Sequence, residues 1–335
     1  MSEYFTKVAN NSRIRQILSE RGHNMQLQFL GTGAGMPSKE RNTSSLALKL
    51  LEERGTIWLF DCGEATQHQI LHTTIRPRKI EKIFITHLHG DHIFGLPGLL
   101  SSRSFLGGQD LLTIYGPKGL QEWILASLDV TKTHLTYPIQ FIEVQEGVLF
   151  EDEQFVVHAL ELEHVIPCFG FRIEQKPLPG ELLVEKAIEL GVPKGPLLGK
   201  LKNGESVTLD DGTIVNSHDV TAPPKKGFTV TILGDTKYCN NAKELSTDAD
   251  IVVHEATFDE LTENLAGSYG HSTNIDAAKI ALESGAKHLI LNHISARFLP
   301  HDINRLLNDA REIFPSVFIA KDFSNFDWKN GDLFD

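Results

Sequence analysis

The sequence of 335 residues predicts an α/β fold in which two mixed sheets pack together and carry helices on their outer faces. Short runs rich in β-branched and aromatic residues recur along the chain, and such runs are typical of strands. Segments with helical periodicity lie between these runs. The hydrophobic content of 41% is sufficient for a substantial core.

Eleven runs are predicted to be strands, and most of them are too short to be helices. They comprise residues 26–30, 56–60, 82–85, 112–115, 140–144, 155–160, 169–173, 229–233, 251–253, 288–291 and 317–320. Five segments are predicted to be helices, and these comprise residues 64–71, 96–105, 120–128, 275–284 and 303–313. For the helix at 275–284, Thr273 or Asn274 is the candidate N-cap and Gly285 is the candidate C-terminal stop.

The chain is predicted to have one main domain with an extension and an insertion. Residues 1–24 have no apolar centre, so they are assigned no role and no signal peptide is expected. Residues 25–335 form the predicted domain, in which residues 175–215 are rich in proline and glycine around a single helical piece at 181–190. Such a long insertion is usually a functional arm or a linker. Because its tip carries both lysines and glutamates, composition alone leaves a solvated loop and a functional arm open.

The cysteine content bears on the compartment of the protein, and the net charge bears on the ligands it can bind. Three widely spaced cysteines argue against a disulfide framework and favour the cytoplasm. No run approaches the roughly 18 apolar residues that a membrane span needs. A net charge of −12 argues against a polyanionic ligand unless a basic patch or a pair of metal ions reverses the potential locally.

The segment 86–92, Thr-His-Leu-His-Gly-Asp-His, follows the apolar run 83–85 and predicts a metal site. On an extended segment His87 and His89 project to the same side, and Asp91 and His92 then turn away from it. One loop can therefore offer two pairs of ligands to two neighbouring ions. Imidazole and carboxylate groups suit zinc, although manganese and cobalt accept the same ligands. Ordinary loop histidines are disfavoured, because crowding four such groups is costly without a cation.

Further candidate ligands lie just beyond predicted strands, where functional residues often collect. They are His164, Asp235 and His293. Each of them, taken singly, fits a structural role better than a ligand role. His271 and Glu255 suggest a proton donor held by a carboxylate. The alternative, which the sequence leaves open, is that Glu255 and His254 bond backbone groups near a turn and that His271 caps the following helix.

Eight motifs, taken in order, resemble the metallo-β-lactamase superfamily and, within it, the ribonuclease Z family of tRNA 3′-processing endoribonucleases. They occupy residues 29–42, 60–64, 84–98, 115–117, 234–236, 254–257, 270–273 and 292–295. The His-x-His-x-Asp-His element alone indicates only the superfamily, and the other motifs indicate the narrower family. The resemblance implies an αβ/βα sandwich with a protruding arm and metals at one edge of the two sheets.

The resemblance also implies roles for the candidate residues and two zinc ions per subunit. His87, His89 and His164 would hold the first zinc; Asp91, His92 and His293 would hold the second; and Asp235 would bridge both. Asp91 would also orient the attacking oxygen, and His271, oriented by Glu255, would protonate the leaving 3′ oxygen. The expected reaction removes the 3′ trailer of precursor tRNA near the discriminator base, giving a tRNA 3′-hydroxyl and a 5′-phosphorylated trailer.

Substrate contacts are implied at two places in this hydrolase domain. Residues 175–215 would form a tRNA-binding arm, and its expected contacts are Lys194, Gly195, Pro196, Lys200 and Lys202. The family commonly acts as a homodimer in which the arm of one subunit clamps tRNA cut by the other. Lys39 and Arg41 in the loop 37–42 would contact the nucleotides after the cut.

Two other classes of function compete with this interpretation. Another hydrolase of the superfamily, such as an arylsulfatase, a lactonase or a small phosphodiesterase, would share the metal ligands. An oxygen-reducing diiron relative should have Glu at the position of His89, which argues against redox chemistry. An RNA-binding module without activity should have lost ligands, whereas all seven are present.

Overall fold

In the computed structural model of the chain, residues 25–178, 180–329 and 332–334 are described. The predicted extension 1–24 lies outside them. The chain divides into two compact units. The first contains the described chain as far as Leu149, then 158–172 and the chain from Val230, and the second contains 150–157 and 173–229.

The strands and helices of the described residues are as follows. The strands are β1 (Met25–Gly31), β2 (Gly33–Ala34), β3 (Ser45–Leu50), β4 (Thr56–Phe60), β5 (Ile80–Phe84), β6 (Leu112–Gly116), β7 (Ile139–Glu143), β8 (Gly147–Glu151), β9 (Phe155–Leu162), β10 (Cys168–Gln175), β11 (Val207–Thr208), β12 (Ile214–Val215), β13 (Thr229–Ile232), β14 (Ile251–Glu255), β15 (His288–Asn292), β16 (Ile294–Ser295), β17 (Val317–Ile319), β18 (Asn325–Lys329) and β19 (Asp332–Phe334). The α-helices are α1 (Thr66–Leu71), α2 (Gly90–Ile93), α3 (Leu96–Phe105), α4 (Leu120–Val130), α5 (Val184–Glu189), α6 (Pro196–Lys202), α7 (Ser217–Val220), α8 (Asn240–Leu245), α9 (Glu263–Tyr269), α10 (Asn274–Glu283) and α11 (Pro300–Ile313).

The first sheet has the strand order β19-β18-β1-β3-β4-β5-β6-β7. Strands β1, β3 and β4 pair antiparallel, and β4 to β7 pair parallel. Parallel strands bring their carboxyl ends to one edge of a sheet. Since β4 ends at Phe60 and β5 ends at Phe84, Asp61 and the segment 86–92 leave the sheet at the same edge.

The second sheet has the strand order β17-β15-β14-β13-β10-β9-β8. Strands β13, β14, β15 and β17 pair parallel. Asp235 follows β13, Glu255 ends β14 and His293 follows β15, so the three side chains share an edge. The two sheets meet through Phe171 of β10, whose ring lies 6.0 Å from that of Phe60 and 5.4 Å from that of Phe84. The predicted α/β class with two packed sheets is confirmed.

Helices α10 and α11 cover one face of the second sheet with buried alanine, leucine and isoleucine side chains. The Thr273 hydroxyl accepts a hydrogen bond from the Asp276 backbone N–H at 3.1 Å and so caps α10. Gly285 then adopts a left-handed conformation with φ of 70°. The predicted start and stop of this helix are confirmed, with Thr273 rather than Asn274 as the cap.

The second unit has an apolar core of its own. It comprises Ala187, Val192, Leu201, Val207, Val215 and Val220. The Gln175 backbone N–H donates to the carbonyl of Phe228 at 2.8 Å, so the two ends of the segment 175–228 lie next to each other. The residues predicted as an arm, 175–215, lie within this unit, but the prediction of a single helical piece was wrong. A second helix, α6, begins at Pro196, whose fixed φ suits the first helical position.

The sequence prediction also missed several strands. Among the longer ones are β3, β8 and β18. Strand β3 reads Ser-Leu-Ala-Leu-Lys-Leu, which contains no β-branched or aromatic residue. Its strand conformation is imposed by pairing with β1 and β4, which the local propensity of its residues does not reveal. No helix in the described part of the chain has both the length and the apolar character to cross a membrane.

The half-buried Glu81 carboxylate in β5 and its ion pairs lead to a prediction about stability. The Glu81 carboxylate accepts hydrogen bonds from Thr56 Oγ1 at 2.7 Å and Trp58 Nε1 at 3.1 Å, and it pairs with Arg54 and Lys82. Burial by itself favours the neutral acid, but the hydrogen bonds and the charge of Lys82 outweigh burial and lower the pKa of Glu81 to about 2. A carboxylate with a depressed pKa stabilises the fold above its ordinary pKa and loses this effect as the pH falls.

We therefore expect Glu81→Gln to lower the free energy of unfolding by about 2 kcal/mol near neutral pH. The difference from wild type should shrink as the pH is lowered from 6 to 3, which urea unfolding at each pH will measure. Glu122→Gln, at an exposed position, is the control and should change stability by at most about 0.5 kcal/mol. A difference for Glu81→Gln that does not depend on pH would contradict the electrostatic explanation.

Candidate metal centre

The segment that carries the clustered histidines changes direction within seven residues. Residues 85–89 follow β5 without regular secondary structure, His89 has an extended backbone, and α2 then turns Asp91 and His92 away from the two preceding histidines. The Asp61 carboxylate anchors the start of the segment by accepting from the backbone N–H of Thr86 at 2.8 Å and from its hydroxyl at 3.0 Å. This turn separates the four side chains into two pairs.

The first pair joins His164 and Asp235 in a group that could hold a metal ion. One ligand atom from each of His87, His89, His164 and Asp235 lies within 4.8 Å of all the others. His89 Nδ1 is 3.0 Å from His87 Nε2 and 3.3 Å from His164 Nε2. The carboxylate oxygen Oδ2 of Asp235 lies 3.6 Å from His87 Nε2.

The outer ring nitrogens of this first group are already used as donors. His164 Nδ1 donates to the carbonyl of Gly270 at 2.7 Å, because a carbonyl can only accept. His87 Nδ1 lies 2.9 Å from the Thr86 hydroxyl, which itself donates to Asp61, so the ring donates to the hydroxyl. The inner nitrogens of His87 and His164 therefore present lone pairs to the same point. Neutral imidazoles oriented in this way are the donor set that a divalent cation requires.

The second pair joins His293 in another group with ligand atoms within 4.8 Å of one another. His293 Nε2 lies 3.3 Å from His92 Nε2 and 3.3 Å from Asp91 Oδ2. The outer nitrogens are again occupied: His92 Nδ1 donates to Asp61 at 2.8 Å, and His293 Nδ1 lies 2.8 Å from the Thr257 hydroxyl. The second group therefore repeats the arrangement of the first.

Asp235 lies between the two groups. Its Oδ2 is 3.5 Å from the Nε2 atoms of both His92 and His293, and the residue is only 3% exposed. Burial by itself would raise the pKa of Asp235, but the charges of His293, His92 and His87 hold that pKa well below its ordinary value. Asp235 is thus an ionised carboxylate that both groups share.

The electrostatics of the centre favour positive charge. Burial by itself would lower the pKa of His92, but the carboxylates of Asp235, Asp61 and Asp91 outweigh burial and raise that pKa well above its ordinary value. The carboxylates of Asp91 and Asp235 lie beside the inward-facing imidazole nitrogens, and divalent cations compensate such a cluster of negative charge well. The residues present therefore fit a site for metal ions.

His271 and Glu255 form a second functional pair beside the two groups. The Nδ1 atom of His271 is 2.9 Å from Glu255 Oε1 and 3.8 Å from Asp235 Oδ2. The buried Glu255 carboxylate also accepts from the Thr236 backbone N–H at 2.9 Å. Burial opposes the charged form of His271, but the charge and the hydrogen bond of Glu255 outweigh it and raise the pKa of His271 to about 9. The ring can therefore carry a proton for delivery.

The structure separates the two interpretations that the sequence left open at this place. Thr273 caps α10, so His271 is not the cap of that helix. Glu255 does bond backbone N–H groups near a turn, and His254 Nδ1 donates to the Glu255 carbonyl at 2.8 Å. These backbone contacts fix the carboxylate while it also holds His271.

The two predicted substrate contacts in the loop 37–42 differ in their exposure to solvent. Lys39 is exposed. Arg41 is buried, and its Nη1 donates to the Thr32 hydroxyl at 2.7 Å and to the Ala320 carbonyl at 2.6 Å. The expectation that Arg41 contacts RNA is not supported, because its guanidinium already holds the base of the loop. The backbone N–H of Gly35 donates to Asp91 Oδ2 at 2.7 Å and so joins this loop to the second group.

The five predicted contacts of the arm all lie in the second unit and are exposed. They are Lys194, Gly195, Pro196, Lys200 and Lys202. The last three belong to α6. The lysine side chains are therefore available to a ligand.

Sequence reasoning missed the residues that orient the candidate ligands. Asp61 lies in the quoted motif 60–64 but was given no role, although an acid directly after a buried strand is a usable signal. Its backbone has a φ of 55°, and that of His293 has a φ of 54°, a left-handed conformation that is uncommon outside glycine and is often found at functional sites. Thr257 lies in the motif 254–257, but its contact with His293, 36 residues away, does not follow from that motif.

The chain is similar to several known proteins and to one family model. The model of a family described as "Anti-Pycsar protein Apyc1" matches residues 25–178. Ribonuclease Z from Bacillus cereus (strain G9842) is 57% identical over 303 residues, which cover 90% of this chain and 99% of that protein. The chain belongs to the ribonuclease Z family.

Two solved structures are also similar to the structure of this chain. Human tRNase Z, short form, aligns with a TM-score of 0.64 and 32% identity over 90% of this chain and 98% of that chain. The metallo-beta-lactamase fold protein YhfI from Bacillus subtilis aligns with a TM-score of 0.64 and 22% identity over 91% of this chain and 100% of that chain. The second match supports the fold alone. The resemblance of the motifs to the ribonuclease Z family is confirmed.

Proposed function

We propose that this protein is a zinc-dependent endoribonuclease that removes the 3′ trailer of precursor tRNA near the discriminator base. The observation that carries the proposal is the shared Asp235 carboxylate between two groups of ligands, with the His271–Glu255 pair beside it. Membership of the ribonuclease Z family supports tRNA processing rather than hydrolysis of a sulfate ester, a lactone or a small phosphodiester.

The donor set accommodates two cations per subunit. His87, His89 and His164 would hold one cation, Asp91, His92 and His293 would hold the other, and Asp235 would contact both. Imidazole and carboxylate ligands favour zinc. The chemistry that such a pair supplies is activation of water near neutral pH and compensation of the negative charge on the phosphodiester.

Asp91 and His271 carry out the two proton transfers of the hydrolysis. Asp91, fixed by the Gly35 backbone N–H, orients the attacking water and accepts its proton. The water oxygen bonds to phosphorus while the bond between phosphorus and the 3′ oxygen breaks. His271, held by Glu255, delivers its proton to that leaving oxygen. The products are a tRNA with a 3′-hydroxyl and a trailer with a 5′-phosphate.

A cleavage assay tests the proposal directly. Incubation with precursor tRNA that carries a 3′ trailer should give one cut beside the discriminator base, with the stated end groups. Elemental analysis of the purified protein should find two zinc ions per chain, and removing them with a chelator should abolish the cut until zinc is restored. Hydrolysis of bis(p-nitrophenyl) phosphate without any cut in precursor tRNA would favour a small phosphodiesterase instead.

The tRNA body is gripped by the arm, residues 175–215 of the hydrolase domain 25–335, and the trailer side is contacted by Lys39. The protein acts as a homodimer in the cytoplasm. The three cysteines are free and buried, which agrees with a reducing compartment. Light scattering of the purified protein tests the dimer.

Reversing the charge of the arm is expected to weaken tRNA binding. The triple variant Lys194→Glu, Lys200→Glu and Lys202→Glu should raise KM for precursor tRNA by about 10- to 100-fold, because three phosphate contacts are replaced by repulsion. Increasing salt should weaken binding less steeply than in wild type. Lys132→Glu, at an exposed position of the first unit, is the control. An unchanged KM in the triple variant would remove the arm from substrate binding.

A further inference from the structure

An exposed aromatic ring, Tyr269, lies at the end of a row of rings that starts at His271. The His271 ring is 5.9 Å from the ring of Phe258. The Phe258 ring stacks in turn on that of Tyr269, with centroids 6.3 Å apart and planes 10° from parallel. Phe258 is 2% exposed, whereas Tyr269 is 61% exposed. Tyr269 therefore packs one face on a buried ring and leaves much of its surface to solvent.

The position of Tyr269 is fixed by residues of the candidate metal centre. Gly270 ends α9 in a left-handed conformation with φ of 76°, and the His271 backbone N–H closes the helix by donating to the Ala266 carbonyl at 2.9 Å. The Gly270 carbonyl accepts the hydrogen bond from His164. A Cβ at Gly270 would lie 2.9 Å from His164 Nδ1, so this approach is specific to glycine. Tyr269 is thus held next to Gly270, whose carbonyl orients the candidate ligand His164.

The surroundings of the ring suit single-stranded nucleic acid. The guanidinium of Arg297, an exposed residue, lies over Phe258 at 4.3 Å from the ring centroid, so the ring on which Tyr269 stacks also carries a cation. An aromatic ring with an open face, next to a cation, is the arrangement with which proteins stack the bases of single strands. The Tyr269 hydroxyl makes no hydrogen bond with any described residue, so the ring is not held as a structural donor.

We propose that the open face of Tyr269 stacks on a nucleobase next to the scissile phosphodiester of the RNA substrate. This inference rests on the proposed endoribonuclease function. Because Phe258 alone separates Tyr269 from His271 in the row of rings, the stacked base belongs to a nucleotide that immediately flanks the cut. Stacking tolerates any base, so Tyr269 positions the strand without reading its sequence.

Kinetics on modified precursor tRNAs test this contact. The substrates are the intact precursor and a set in which one nucleotide lacks its base, from the discriminator position to the third trailer nucleotide. On the intact precursor, Tyr269→Ala should lower kcat/KM by about 5- to 150-fold, mainly through KM. Tyr269→Phe, which keeps the ring, should retain the wild-type value. Leu265→Ala, at an exposed position of the same helix, is the matched control and should also retain it.

The substrate without the stacked base decides the outcome. At one flanking position, wild type and Tyr269→Ala should cut the abasic precursor equally, because the contact is already missing. An equal penalty for Tyr269→Ala on every substrate would indicate a structural role and overturn the proposal. Wild type that is insensitive to every abasic position would also overturn it, even if Tyr269→Ala did not fold. If wild type left the intact precursor uncut, the proposed function would fail first, before any variant was compared.

Discussion

Replacing Asp235 with asparagine is expected to remove metal from both ligand groups and to stop cleavage of precursor tRNA. The side-chain oxygen Oδ2 lies 3.5 Å from His92 Nε2 and 3.6 Å from His87 Nε2, so one carboxylate serves both groups. Asparagine keeps the shape but removes the negative charge that balances two cations. We expect the metal content to fall below one ion per chain and kcat to fall by about 10³-fold or more.

The Asp235→Asn variant tests the charge of the side chain, because asparagine has nearly the same volume as aspartate. Metal content is measured by elemental analysis and cleavage by a single-turnover gel assay on the same preparation. Asp129→Asn, whose side chain is 80% exposed, is the matched control and should keep both ions and the wild-type rate. Circular dichroism will show that Asp235→Asn is folded. Two ions per chain together with wild-type cleavage would refute a role for Asp235 between the groups.

The local part of the centre could be predicted from strand geometry, whereas the remote part depended on the family resemblance. His87 and His89 stand two positions apart on an extended segment, so their common direction follows from strand geometry. His164 and His293 contact the cluster across long stretches of chain, and apart from the resemblance only their positions beyond strands pointed to them. His293 reaches the centre because β13, β14 and β15 run parallel and end at one edge of the second sheet. Whether the two histidines bind metal stays a prediction.

Charge alone was a poor guide to exposure. Arg41 and Lys39 lie in one loop and carry the same charge, yet only Lys39 is exposed. The Arg41 guanidinium is buried because Thr32 and the Ala320 carbonyl accept its hydrogen bonds. Ala320 is 279 residues away from Arg41, so no local pattern could reveal this contact. The hydrogen bonds of Asp61 to His92 and of Thr257 to His293 also join residues that are distant in the sequence, although the position of Asp61 directly after a buried strand was a usable signal.

His271→Ala is expected to slow cleavage of precursor tRNA by about 10²- to 10⁴-fold while both metal ions stay bound. The His271 Nδ1 donates to Glu255 at 2.9 Å, and no described residue bonds its Nε2, which is therefore the atom that can deliver a proton. His271 belongs to neither of the two ligand groups, although its ring also forms a third group of neighbouring ligand atoms with Asp235 and His293, so the metal content of the variant is measured as well. Elemental analysis and single-turnover cleavage on one preparation measure both quantities.

The nature of the leaving group separates proton delivery by His271 from a merely structural role. The 3′ oxygen of tRNA leaves as a strongly basic alkoxide unless it receives a proton, whereas p-nitrophenolate is a stable anion that needs none. The loss caused by His271→Ala should therefore be much smaller on bis(p-nitrophenyl) phosphate than on precursor tRNA. Glu255→Gln should show the same pattern with a smaller loss, because the imidazole remains but its orientation and charge are less well supported. Equal losses on the two substrates would mean that His271 supports the site in another way, because a damaged centre slows both reactions alike.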